Sequence, residues 1–226
     1  DWPTLEPLLT LLLDTPQFFV MFWNSIGQSV DQVAGNLLVG APAAWAISRL
    51  RFRGRSMVRG LYIVLMLLPF QVTMVPSYLI LRQFGLLDTP WAIILPGIFS
   101  TFPVFIMERG FDTVPREVLE SASIDGANQW QRFWRIGIPL GIPGLISALT
   151  LGFLDAWNAI EQPMTFLESP QYWPLSLFFT DPANLDTKQL GLAMAASLWM
   201  LLPSILAFRF GQTYLEAGLT KGAVKG

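Results

Sequence analysis

The sequence predicts an all-α, polytopic membrane helix bundle. Three observations lead there. Of 226 residues, 53% are hydrophobic and only 13% are charged, against about 25% charged in an ordinary soluble domain; mean hydropathy is +0.48. Five apolar stretches reach the roughly 20 helical residues needed to cross a hydrocarbon core about 30 Å thick. The basic residues between them alternate in density from one connection to the next.

The expected spans, in order, are Trp23–Ile47, Gly60–Leu81, Pro90–Met107, Leu140–Trp157 and Leu190–Phe208. Asn24, Gln28, Asp31, Gln32 and Asn36 interrupt the start of the first. Pro69 and Pro76 predict a kink in the second, which neighbouring helices tolerate in lipid. The apolar run Trp2–Leu13 is too short to span and reads as an interfacial helix, broken by Asp14 and Pro16.

Arg49, Arg51, Arg53, Arg55 and Arg59 fill one connection, four arginines the connection from Glu108 to Pro139, and Arg209, Lys221 and Lys225 follow the last span. Only Arg82 and Lys188 lie on the other side. Basic connections face the cytoplasm. The N-terminal segment (1–22) is therefore expected outside, and a spanning domain over 23–208 carries a cytoplasmic loop at 109–139 and an external loop at 158–189. A cytoplasmic tail (209–226) follows. The chain opens on Asp1 with no basic leader, and an external start with five spans predicts a further helix before it.

Cysteine and histidine are absent, which removes disulfides, thiol nucleophiles, imidazole bases and most zinc sites. No catalytic or metal-ligating residue is assigned. A net charge of −2 gives no reason to expect nucleic acid. The chain holds no G-x-x-x-x-G-K-[ST] loop to cradle ATP phosphates.

Residues 120–144 read ESASIDGANQWQRFWRIGIPLGIPG, a polar stretch in an apolar chain. Thr113 is a candidate cap, with Pro115 near the first turn and Glu117 after it, for a short helix over Pro115–Ile124. Asp125-Gly126 is a turn dipeptide whose glycine takes a positive φ. A second short helix over Asn128–Arg135 presents Trp130, Phe133 and Trp134, before Pro139 and Pro143 mark entry into the next span. Such a segment suits either lipid headgroups or a docking partner, and amphipathicity does not separate the two.

Glu120, Ala122, Asp125, Gly126, Ala127, Phe133, Ile136, Pro139 and Pro143 resemble the EAA signature of permease subunits of bacterial ATP-binding-cassette (ABC) importers. The resemblance is to the carbohydrate branch that includes the smaller permease of the maltose transporter. Ser121 stands where that signature usually has alanine. FWNSI (22–26), AWAISRLRFRGR (44–55), LLPFQVTMVPSYLILRQFGLLDTPWAIILP (67–96), AWN (156–158) and GLTKGAVKG (218–226) resemble the same branch.

The resemblance implies a type I importer permease of six helices, with helices two to six in this chain, in the bacterial inner membrane with its C-terminus cytoplasmic. It implies that the EAA helix is a coupling helix seated in a groove of a cytoplasmic ABC ATPase dimer. Glu120, Ser121, Ala122, Asp125, Gly126, Ala127, Arg132 and Phe133 are then the candidate contacts. ATP and Mg belong to that ATPase, so no cofactor and no catalysis are expected of this subunit. A second, homologous permease, an extracytoplasmic solute-binding protein and a sugar or polyol substrate complete the implied partners.

For the translocation path, Asn24, Gln28, Asp31 and Gly35 follow a 4-3-4 spacing that sets them on one helical face. That face suits a path or packing against another subunit. Asp155, Asn158 and Glu161, spaced by three beside Trp157, carry the carboxylates, amide and aromatic ring that a sugar site uses, while Asn158 also suits a helix cap. The alternative is an ion-gradient-driven secondary transporter or channel, disfavoured by how few ionisable residues the spans hold, chiefly Asp31 and Asp155. A membrane scaffold that only docks peripheral proteins is a third class.

Overall fold

In lipid every backbone polar group needs an internal partner, and a helix supplies one within a single segment. The computed structural model describes residues 6–180 and 190–223, and among these every regular element is helical. Helix α1 (Glu6–Asp14) gives way to α2 (Pro16–Arg49) at the expected break. In α1 Leu11 is fully buried while Leu9 and Leu13 are exposed. Helix α2 runs 34 residues, continuously through position 23.

The second expected span is two helices, α3 (Arg55–Leu67) and α4 (Phe70–Gln83). Leu68 between them is extended, with φ −71° and ψ 124°, because a proline drives the residue before it out of the helical region. The third is α5 (Trp91–Ile98) and α6 (Thr101–Asp112), interrupted at Phe99–Ser100. After α7 (Arg116–Ile124), helix α8 (Gln129–Arg132) does not stop at 135. It passes through a π-helical turn, Phe133–Gly137, into α9 (Ile138–Asn158), making 30 continuous residues. Helix α10 (Glu161–Phe166) and two 3-10 turns follow. Helix α11 (Leu190–Ala223) then runs on past Phe208.

The expected five spans become fewer by length and composition. Among the described residues three helical runs suffice, Trp91–Asp112, Gln129–Asn158 and Gly191–Glu216, with a fourth if the broken pair α3–α4 counts as one. Helix α2 has the length, but its five interrupting polar residues dilute its apolar run. Lys188 and Lys225, used to read the charge pattern, lie outside the described residues.

Contacts divide the chain into two compact units. The first comprises 1–32, 69–97 and 153–207. Its core joins Leu11, Phe18, Met21, Trp157, Leu175, Phe178 and Ala196. Phe18 meets Phe178 edge-on at 6.2 Å, and the Trp157 indole N–H donates to the Met200 carbonyl at 3.0 Å. Between α4 and α5, Asp88 sits at φ 54°. Its carboxylate accepts the N–H groups of Glu168 and Ser169 (2.9 and 2.7 Å) and the Ser169 hydroxyl (2.5 Å). Its own N–H donates to the Phe166 carbonyl at 3.0 Å.

The second unit comprises 33–68, 98–152 and 208–226, around Ala44, Trp45, Val104, Met107, Phe111, Phe133 and Ala148. Helices α6 and α9 touch backbone to backbone. A methyl group placed on Gly110 would lie 2.6 Å from the Gly144 Cα, so this crossing admits no side chain at either position. Arg59 pairs with the buried Glu108, and Ser48 donates to Asp112 at 2.7 Å.

Two outcomes follow from this packing. Gly144→Ala lowers the melting temperature in detergent, because backbone rather than a flexible side chain must yield, at about 1–3 kcal/mol. Gly60→Ala, with nothing within 4 Å, does not lower it. The second outcome concerns Asp88, whose carboxyl is held below its ordinary range first by the Ser169 hydroxyl and then by the Ser169 N–H. A lowered folded-state pKa stabilises fully above the unfolded value of about 3.9 and is lost as pH falls through the folded value. The melting-temperature gap between wild type and Asp88→Asn is therefore constant above about pH 5 and closes below pH 4.

Candidate functional site

Helix α7 owes little to the rest of the protein. Its nine residues bury none of their number, with Val118 and Ile124 exposed and only Leu119 packed on the second unit's core. Pro115, at φ −63° and ψ 139°, stands at its N-cap. The expected cap, Thr113, turns the other way and donates its hydroxyl to the Gly110 carbonyl at 2.8 Å, closing α6. The far end closes on itself. Gly126 takes φ 82°, its N–H donates to the Ser123 carbonyl (3.2 Å), and the Ala127 N–H donates to the Ala122 carbonyl (2.9 Å). This paired closure needs a left-handed residue at Gly126, which glycine adopts without a Cβ penalty.

The next turn is equally self-contained. The Asn128 side chain accepts from the Gln131 N–H and the Gln131 side chain accepts from the Asn128 N–H, both at 2.9 Å. This reciprocal cap satisfies two donors that a helix start otherwise leaves open. Nothing in the sequence reading used it, although the Asn-x-x-Gln spacing was there to be read.

On this frame Glu120, Ser121, Asp125 and Gly126 are exposed, while Ala122, Ala127 and Arg132 are half-buried. Phe133 departs from the expected contact surface. It is 2% exposed and packs against Trp45 and Phe111 at 5.8 and 6.1 Å. Its neighbours Trp130 and Trp134 stay outside, 62% and 58% exposed. The aromatic ridge is thus two exposed tryptophans on either side of an inward anchor.

The proposed path residues divide differently. Asn24 donates to the carbonyls of Gln171 (2.7 Å) and Trp173 (3.1 Å), and Gln28 to that of Tyr172 (2.8 Å). The Ser25 hydroxyl accepts the Leu175 N–H at 2.7 Å. This face of α2 holds a proline-broken connection in place, which accounts for its polarity without a solute. Asn158 turns back onto the Leu154 carbonyl at 2.7 Å, and Glu161 accepts Gln71 at 2.9 Å on both oxygens. Asp31 and Asp155 are exposed and make no hydrogen bond among the described residues. Asn36, read only as an interruption, donates to the carbonyls of Ile98 (2.9 Å) and Ser100 (3.1 Å) at the break between α5 and α6.

Comparison with known proteins fits this arrangement. Residues 36–221 match the family model of the binding-protein-dependent transport system inner membrane component. The inner membrane ABC transporter permease protein YcjP of Escherichia coli K12 is 33% identical over 92% of this chain and 75% of its own length. The diacetylchitobiose uptake system permease protein DasC of Streptomyces coelicolor is 32% identical over 94% of this chain and 78% of its own. Among solved structures, a bacterial ABC transporter involved in the import of the acidic polysaccharide alginate superposes with a TM-score of 0.80, at 26% identity over 92% of this chain and 78% of that one. The chain belongs to the family of binding-protein-dependent transport system inner membrane components, the permease subunits of ABC importers.

Proposed function

We propose that the chain forms half of the translocation path of an ATP-driven importer for a sugar or related polar solute, and that α7 is where a cytoplasmic ATPase dimer grips it. The observation that carries this reading is a helix closed at its far end by its own residues, burying nothing, yet followed by 30 unbroken helical residues leading into a membrane span. A rigid, exposed helix can seat in a partner's groove, and the continuous run beyond it carries the displacement inward.

The roles differ by residue. Glu120 offers an exposed carboxylate to basic or amide donors on the ATPase. Ser121 and Asp125 share its surface. Ala122 and Ala127 keep the helix thin, Gly126 makes the turn, and Arg132 leads into the π turn. Phe133 contacts the ATPase not at all. It roots the run in the second unit's core, so that a push on α7 is not absorbed by a loose joint. ATP, Mg and hydrolysis reside in the ATPase, and this subunit is non-catalytic.

The basic connections support a cytoplasmic C-terminus. A second, homologous permease completes the path, and an extracytoplasmic binding protein delivers the solute. Relatives support the solute class, since DasC is named for diacetylchitobiose and the protein AraQ of Halalkalibacterium halodurans, 28% identical over 99% of this chain, for arabinooligosaccharides. Asp31 and Asp155, exposed and without a hydrogen bond among the described residues, are the path residues best placed to meet hydroxyls; Asn24, Gln28 and Asn158 serve the backbone first.

Substitutions separate docking from anchoring. Glu120→Arg leaves the melting temperature of the permease unchanged and abolishes solute uptake or co-purification of the ATPase; full uptake would refute the coupling role. Phe133→Ala instead destabilises the permease itself, by about 3–5 kcal/mol, read as a lowered melting temperature before any ATPase is added.

A further inference from the structure

Beside the start of α7, the second unit contains a cleft of about 650 Å³ whose lining includes Arg49, Arg55, Arg59 and Arg116 with Asp112 and Glu117, but not Glu120. Its size falls in the range of small-ligand sites. The charges do not cancel. Arg59 is paired with Glu108 behind the wall, and Asp112 accepts Ser48 and lies 3.6 Å from Arg59 and 3.9 Å from Arg109. Asp112 attracts Arg49 while Arg116 and Arg55 repel it, so Arg49, Arg55 and Arg116 share Glu117 and an Asp112 that Arg59 also draws on.

Two of these guanidinium groups are fixed from behind. Arg49 donates from Nε to the Phe111 carbonyl at 3.0 Å and from Nη2 to the Val114 carbonyl at 2.6 Å. Arg55 donates from Nε to the Ile47 carbonyl at 2.6 Å and from Nη2 to the Ser48 carbonyl at 2.5 Å. In both, Nη1 makes no hydrogen bond among the described residues. Arg116 is exposed and makes neither a hydrogen bond nor an ion pair among them. Held forks with free outer donors, in a cleft with excess positive charge, match the geometry and charge of phosphate oxygens.

We propose that this cleft binds a phosphate-bearing anion, either the headgroup of an anionic lipid or free inorganic phosphate. The site is independent of the transported solute and of the ATPase contact at Glu120. Arg116 supplies the mobile third cation, closing on an anion already oriented by Arg49 and Arg55.

The test uses the permease in the complex with which it purifies, in neutral detergent, titrated with short-chain phosphatidylglycerol, short-chain phosphatidylcholine and inorganic phosphate. The expected result is saturable binding of phosphatidylglycerol or phosphate but not of the zwitterionic lipid. Arg116→Gln weakens it by about tenfold, Arg116→Lys retains most of it, and neither shifts the melting temperature. Saturation by phosphatidylglycerol alone assigns the site to lipid; saturation by inorganic phosphate as well assigns it to the free anion. No saturable binding, or binding unchanged in Arg116→Gln, overturns the proposal. So does loss of the ATPase from Arg116→Gln with no probe bound by the wild type, which would show that the cleft receives an acidic side chain instead.

Discussion

A carbonyl or N–H freed at a helix break has no partner within its own helix, and meeting that demand organises much of this protein. Asn36 serves the break between α5 and α6, Asn24 and Gln28 the connection around Tyr172, Arg49 the end of α6, and Arg55 the end of α2. Asp88 does the reverse for free N–H groups at Glu168 and Ser169. Polar residues are scarce in this chain, and a good share of them are committed to backbone.

Against that background α7 is an exception with a purpose. Its closing turn and the cap that follows come from its own residues, Gly126 and the Asn128–Gln131 pair. Its outer face is therefore left exposed, while Phe133 ties the following turn into the core. The close crossing of Gly110 and Gly144 fixes α6 against α9 immediately above, so the connected run has a firm seat. Rigidity at the root and freedom at the tip are what a docking lever requires.

How far this was legible in the sequence depended on how local the signal was. Asp125-Gly126 announced its turn because only two residues and a positive φ are involved. The 4-3-4 spacing of Asn24, Gln28 and Asp31 located a face, but its meaning lay in carbonyls some 145 residues away, which no periodicity reports. The outward reading of Phe133 failed for a different reason. The inward direction of Phe133 is set by Trp45 and Phe111, which are distant in sequence and pack against it. Pro69 was seen, yet its consequence was a break between two helices rather than a kink within one.

The central claim is that the Glu120 face of α7 is covered by an ATPase and by nothing else. The chain contains no cysteine, so Glu120→Cys introduces its sole thiol. The decisive measurement is the rate of labelling of that thiol by a membrane-impermeant maleimide in inside-out vesicles, before and after peripheral subunits are stripped. Slow labelling that becomes fast on stripping, and slow again when the ATPase is returned, is the predicted result. Equal labelling in all three states would contradict it.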